Sequence, residues 1–175
     1  MIRPIAKHAP IGVGLTVGLA VLLTGCMASG PKELSAEAKT SLSAEGRAFA
    51  KQVADDITSK GPTAWRAVFS ESPDFYMASE GKLVFSTSQE ASAAIDQLAK
   101  TVTHIELTWG EPVRIDPLTT DLILLGMPYH EVRKDTAGAT VDERGYFTGL
   151  AERTPAGWRF RNAHWSVVTP PAAVQ

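Results

Sequence analysis

Gly157-Trp158-Arg159-Phe160-Arg161-Asn162-Ala163-His164-Trp165-Ser166 is the stretch whose reading decides the fold. Apolar and polar side chains alternate along most of it, and Thr154-Pro155-Ala156-Gly157 just before it supplies the residues of a tight reversal. This pattern predicts the closing arm of a hairpin in a curved antiparallel sheet. On a strand's two-residue period, Arg159 and Arg161 share one face while Trp158, Phe160 and Asn162 share the other. Two arrangements satisfy that split. With the aromatic face against helices, the arginines are solvated or lie in a sheet-to-sheet dimer; reversed, Arg161 presents a fixed cation to an anionic ligand.

Working back from the closing arm, residues 144–153 read as its partner strand, and residues 134–140, rich in Gly, Ala and Thr, as a loop. Residues 121–133 predict a long strand. Its run Leu122-Ile123-Leu124-Leu125 predicts cover on both faces, in the middle of the sheet. Ile105, Leu107 and Trp109 alternate with His104, Glu106 and Thr108, and Val113 and Ile115 carry the pattern past Pro112, where the ladder is interrupted or bent. Residues 74–78 and 82–85 flank Ser79-Glu80-Gly81, which predicts a short hairpin whose glycine takes positive φ.

Three helical segments precede or interrupt these strands. Over residues 42–60, Phe49, Val53 and Ile57 recur every fourth position beside Ala50 and Ala54, and Gly61-Pro62 ends the run. Trp65, Val68 and Phe69 give a short helix over 63–69, and Ala91, Ile95, Leu98 and Ala99 one to about residue 100, with Ser88 as its expected cap. The sum is an α+β class: three helices from the N-terminal half on a strongly curved antiparallel or mixed sheet of about six strands.

The start of the chain is of another kind. Arg3 and Lys7 precede an uncharged apolar run over 11–24, short of the ~20 residues a membrane-spanning helix needs and suited to a secretory signal. That run ends in Leu23-Thr24-Gly25-Cys26, which resembles the lipobox of bacterial lipoproteins at every position. The resemblance implies a diacylglyceryl group on the Cys26 sulfur, cleavage before it, and acylation of the new amino terminus. Each buried methylene then contributes about 0.8 kcal/mol, so two or three chains anchor firmly. It implies a cell-envelope location, and Met27 in place of an aspartate favours the outer membrane in a host with two membranes. Residues 1–25 are read as the signal peptide, 26–41 as a tether, 42–169 as the folded domain and 170–175 as a loose tail.

Cys26 is the sole cysteine, so an intrachain disulfide is excluded, and the lipid that the resemblance places on its sulfur leaves no thiol for catalysis. The full chain carries a net charge of −2, and removal of residues 1–25 takes Arg3 and Lys7 but no acid. That balance does not fit nucleic-acid binding, which calls for a basic face.

The succession of helices, hairpin and long strands ending in Gly157-Trp158-Arg159-Phe160 and His164-Trp165-Ser166 resembles the nuclear transport factor 2-like superfamily, in particular its SnoaL-like branch, over residues 43–169. The resemblance implies a cone, with a bent sheet around the first helix and a pocket between helices and concave face. Members include isomerases, cyclases, dehydratases and proteins that only bind a ligand or partner, so the fold does not choose among them.

On that frame the chain offers several candidate residues. Tyr76, Tyr129 and Tyr146 supply phenols of the kind that hold an oxyanion, or are half-buried aromatics at the sheet edge. Trp65 and Trp109 are candidate pocket walls or core. His130 and Glu131 are adjacent on a strand and point to opposite faces, so at most one meets a cavity. Asp116 and Asp121 sit by turns, as caps do. His164 matches the superfamily's frequent histidine near the end of the last strand, in a structural role or, with Glu131, in a catalytic one. His104 and Glu106 share a face but lack a third metal ligand, and neither a glycine-rich phosphate loop nor a serine elbow is present, so no cofactor is expected. The leading expectation is therefore a lipid-anchored envelope protein that binds a small apolar ligand or a protein partner without turnover. Trp65, Tyr76, Trp109, Tyr129, Tyr146, Arg161 and His164 are its ligand-binding candidates. The alternatives are an enzyme using a pocket carboxylate or histidine, and a module that dimerises through the convex face.

Overall fold

The computed structural model describes residues 33–168. The apolar run, Cys26 and the first part of the tether, to residue 32, lie outside the described residues, as do residue 169 and the tail over 170–175.

The order of elements is α1 (Ala36–Lys60), a 3₁₀ turn (Pro62–Ala64), α2 (Trp65–Val68), β1 (Tyr76–Ser79), β2 (Lys82–Phe85), α3 (Ser88–Thr101), β3 (Val102–Trp109), β4 (Arg114–Pro117), β5 (Leu122–Asp135), β6 (Thr140–Thr154) and β7 (Gly157–Val167). The sheet runs β2-β1-β7-β6-β5-β3, with β4 also on β5. Pairing is antiparallel except between β1 and β7, which run parallel. This is the nuclear transport factor 2-like fold, with a seventh strand beyond the expected six.

The extra strand comes from the break at Pro112. Instead of one bent strand, β3 and β4 lie one after the other along the same edge of β5, β3 facing Tyr129–Asp135 and β4 facing Ile123–Gly126. Helix α1 starts at Ala36 rather than 42, because Ser35 caps it by accepting a hydrogen bond from the Ala38 N–H at 3.2 Å. For α3 the cap is Thr87 and not Ser88, since the Thr87 hydroxyl accepts from the Glu90 N–H. The second helix is split, Pro62 opening a 3₁₀ turn ahead of one α-helical turn.

Leu42, Phe49, Val53 and Ile57 of α1 lie against the sheet, burying the stripe that the four-residue spacing predicted. Gly46 belongs to the same stripe. A Cβ there would stand 2.7 Å from the Ile115 side chain and 3.0 Å from Ile123, so the absent side chain lets α1 press onto β4 and β5. The concave face supplies the other half of the core: Ile123, Leu125 and Met127 of β5, Phe147 of β6 and Phe160 of β7 are fully buried. Their neighbour Leu124 points outward and is exposed. The outer face of β5 is thus open, contrary to the expectation of cover on both sides.

Strand β7 also departs from simple alternation. Opposite it, Leu150 pairs with Asn162 but Ala151 pairs with Phe160, leaving Arg161 as an extra residue in the ladder. The bulge shifts the phase, so Phe160 and then Ala163 and Trp165 all face inward. Trp158 and Phe160 do turn toward α1, as in the first arrangement. Asn162, however, comes after the bulge and leaves that face: its amide donates to the Asp74 carbonyl.

One edge contact matters for the site's frame. Leu107 sits on the side of β3 without a partner strand, and its N–H donates to the Thr58 hydroxyl of α1 at 3.0 Å. The helix thereby satisfies a backbone donor that the sheet leaves open.

Candidate functional site

On β5, every second residue faces the concave side, which brings Tyr129, Glu131 and Arg133 into one row. Glu143 of β6 lies across from this row, its Cα paired with Glu131. The four side chains form one network. The Tyr129 hydroxyl donates to Glu143 Oε1 at 2.7 Å; Arg133 Nη2 reaches Glu143 Oε2 at 3.3 Å and its Nε reaches Glu131 Oε1 at 3.1 Å. A single guanidinium thus serves two carboxylates.

Above this network is a cavity of about 410 Å³. Trp65 and Phe69, Ile95 and Leu98 of α3, and Trp165 of β7 make much of its apolar wall. Glu131, Arg133 and Glu143 form its polar floor, and the β1–β2 hairpin adds Met77, Val84 and Phe85. That size and lining suit a small organic molecule. Trp65 stacks on Phe69 at 5.4 Å and meets Trp165 edge-on at 5.8 Å, which fixes the rings that face the space.

The floor is electrostatically tuned. Glu131 is 7 % exposed. Burial raises its carboxyl pKa above the ordinary value, Arg133 opposes the shift, and Glu143 adds to it. The Tyr129 phenol is also pushed up, first by burial and then by its bond to Glu143, so it is a fixed donor. Gly145, opposite Tyr129, makes room for the ring: a Cβ there would lie 2.8 Å from the ring and 1.8 Å from the Ser166 carbonyl oxygen.

The residues singled out from the sequence disperse over the molecule. Trp65 lines the cavity, and Tyr129 stands behind its floor through Glu143. Trp109 lies outside this cavity, stacked on Trp165 at 6.0 Å with its indole N–H on the Ala50 carbonyl, and lines a separate groove between α1 and β3. Tyr76 and Tyr146 are exposed, outside the cavity lining, and so is His164. Arg161 pairs with Asp74, and Arg159 donates to the Phe69 carbonyl, so neither presents a free cation to the cavity. Of the adjacent pair, Glu131 faces in; His130 lies on the other face, 2.9 Å from Asp142. Asp121 accepts from the Thr120 hydroxyl next to its turn, and Asp116 lines an outer groove. His104 and Glu106 are exposed. No group of three metal-capable side chains occurs among the described residues.

Arg133 and Glu143 were not singled out by the sequence reading. The row Tyr129, Glu131, Arg133 at every second position was visible as one face of a strand. Glu143, in contrast, joins it only through the β5–β6 register, which the sequence does not display.

A second network closes the far end of the sheet. Arg153 lies over the Trp158 ring at 4.4 Å, and both donate to Glu45 of α1. The Trp158 bond, then Arg153, lowers the Glu45 pKa. These groups are each committed to one another, and we read them as the clasp between α1 and the β6–β7 hairpin.

Comparison with known proteins gives the fold a wide company. A nuclear transport factor 2-like superfamily protein from Salmonella enterica serovar Typhimurium superposes with a TM-score of 0.63 at 16% identity, over 78% of this chain and 97% of that one. A protein from Novosphingobium aromaticivorans, provisionally assigned as a scytalone dehydratase, gives 0.64 at 9% identity, over 81% and 94%. A type 2 hexachlorocyclohexane dehydrochlorinase, LinA, gives 0.60 at 12% identity, over 81% and 96%. No protein-family model and no curated protein sequence matches the chain. At such identities the likeness establishes the fold and leaves chemistry to the residues themselves.

Proposed function

We propose that the chain is a lipid-tethered envelope protein whose domain takes up a small, largely apolar molecule bearing one polar group. The observation that carries the binding reading is the cavity itself: aromatic and aliphatic walls over a floor of Glu131, Arg133 and Glu143. The walls supply affinity by excluding water, and the floor supplies orientation, because a buried ionisable group left without a partner is costly. The tether rests on Leu23-Thr24-Gly25-Cys26 after an apolar run.

Two experiments test the two halves. For the cavity, the neutral dye N-phenyl-1-naphthylamine should bind at a single site, and Ala94→Trp, which fills the space from α3, should abolish the signal while the far-UV spectrum stays native. Binding that survives Ala94→Trp would move the site elsewhere. For the tether, cells fed labelled palmitate should label the protein, and Cys26→Ser should remove the label. Equal labelling of both would end that reading.

One observation favours turnover as a second reading. Glu131 combines deep burial, a raised pKa and an edge on the cavity, which are the properties of a group that moves a proton to or from a bound carbon acid. Tyr129 and Arg133 would then steady the charge through the shared carboxylates. Under this reading, solvent deuterium enters a bound ligand in the native protein and not in Glu131→Gln.

A further inference from the structure

The charges of the floor do not cancel when its acids are ionised. Glu131 and Glu143 bring two carboxylates, Arg133 brings one guanidinium, and the Tyr129 hydroxyl, though bonded to Glu143, brings no charge. At the mouth, exposed Glu80 and Lys82 offset each other. Every other element around the space presents apolar groups: Trp65 and Phe69 before β1, Ile95 and Leu98 on α3, Ile105 on β3 and Trp165 on β7. Among the described residues, no second cation approaches the floor from those sides.

The walls are of the matching kind. The stacked Trp65 and Phe69 rings, the edge-on Trp165 and nearby Phe85 surround the space above two carboxylates. An aromatic face attracts a cation through its quadrupole, and the attraction grows where water is excluded. An anionic head would meet two carboxylates with Arg133 already engaged by both, and a neutral head would leave the surplus charge as it is.

We propose that the cavity is selective for an organic monocation, an amine on an apolar body, whose ammonium group lies against Glu131 and Glu143 and whose body lies among Trp65, Phe69, Phe85 and Trp165. This rests on the cavity reading above and names the class of its ligand. A consequence follows for protons. Glu131 holds its proton more tightly than an ordinary carboxyl, and an arriving ammonium group displaces it. Amine binding therefore releases a proton and strengthens as pH rises toward neutrality, until Glu131 is ionised in the free protein as well.

Isothermal titration with three compounds of one body and three heads separates the cases: 4-phenylbutylamine, 4-phenylbutanol and 4-phenylbutyrate. The amine is expected to bind at least tenfold more tightly than the alcohol, with the carboxylate weakest. In a pH series starting at the ordinary glutamate value and rising, its binding heat should change with the ionisation enthalpy of the buffer, reporting the released proton. Glu143→Gln and, independently, Glu131→Gln should each remove most of the amine's advantage over the alcohol, read as the ratio of the two affinities within each variant. Should the alcohol bind the native protein as well as the amine does, or should both glutamine variants keep the preference, the cation inference is overturned and the apolar cavity reading stands. Should none of the three bind, with N-phenyl-1-naphthylamine also silent, the cavity reading falls together with it.

Discussion

Replacing Tyr129 with phenylalanine takes one oxygen from beneath the cavity and leaves the ring where it is. That ring is 3 % exposed and stands edge-on to Trp165 at 4.7 Å, so its packing survives the change. What is lost is a 2.7 Å hydrogen bond to Glu143. A bond to a charged acceptor contributes about 1.5–3 kcal/mol. Glu143 keeps Arg133 and some access to water, which favours the lower half of that range, about 1.5–2 kcal/mol. For a domain of about 135 residues the unfolding entropy is on the order of 0.3 kcal/mol per kelvin, so Tm should fall by roughly 5–7 °C. Urea unfolding should show the midpoint moving with an unchanged m-value. Tyr146→Phe is the matched control: this tyrosine is exposed on the outer face, and its loss should stay within about 0.5 kcal/mol. A cycle pairing Tyr129→Phe with Glu143→Gln should show coupling above about 0.5 kcal/mol. Equal losses at the two tyrosines, or strict additivity in the cycle, would refute the account of the floor as a connected network.

Other consequences can be checked alongside. Thr58→Val keeps the shape of the side chain but strands the Leu107 N–H at the open edge of β3, so a loss of about 1–3 kcal/mol and faster hydrogen exchange at that amide are expected, with neighbouring Ser59→Ala nearly silent. Gly145→Ala sets a methyl group into the Ser166 carbonyl and the Tyr129 ring; native-state near-UV dichroism and urea midpoint should both fall, more than for Gly138→Ala, whose cost is only the positive φ of 86° in open space. For Glu131 the folded-state pKa lies above the unfolded one, so its proton-linked stability is complete below the ordinary glutamate value and is lost as pH rises through the folded pKa. Glu131→Gln removes that dependence: relative to the native protein, the variant should gain stability between pH 4 and pH 7 in urea unfolding at fixed ionic strength.

Element identity was legible wherever period and punctuation agreed. The Leu42–Ile57 stripe, the Glu80-Gly81 reversal and the Gly157 turn each rest on neighbours in the chain, and each has the expected form, with Gly81 at φ 74° and Gly157 at φ 103°. What failed were inferences that needed a partner. Leu124 looks buried in a run of four aliphatics, yet only the sheet's lack of a second layer decides that it is exposed. The phase of Arg161 and Asn162 depends on an extra residue in the β6–β7 ladder, and alternation alone carries no mark of it. The three tyrosines were indistinguishable for the same reason: Tyr129 is set apart from Tyr76 and Tyr146 by its burial on the concave face and by the glutamate that a neighbouring strand sets beside it.

The hairpin of β1 and β2 hangs from the rest of the sheet by a single four-residue parallel ladder to β7, while the floor strands β5 and β6 are joined along their whole length. Loosening the molecule by degrees should therefore detach that flap first and leave the charged base in place. For the proposed ligand, a body bulkier than the resting space would have to displace that flap, so its size limit would be set by the weakest seam in the sheet and its chemical preference by the strongest.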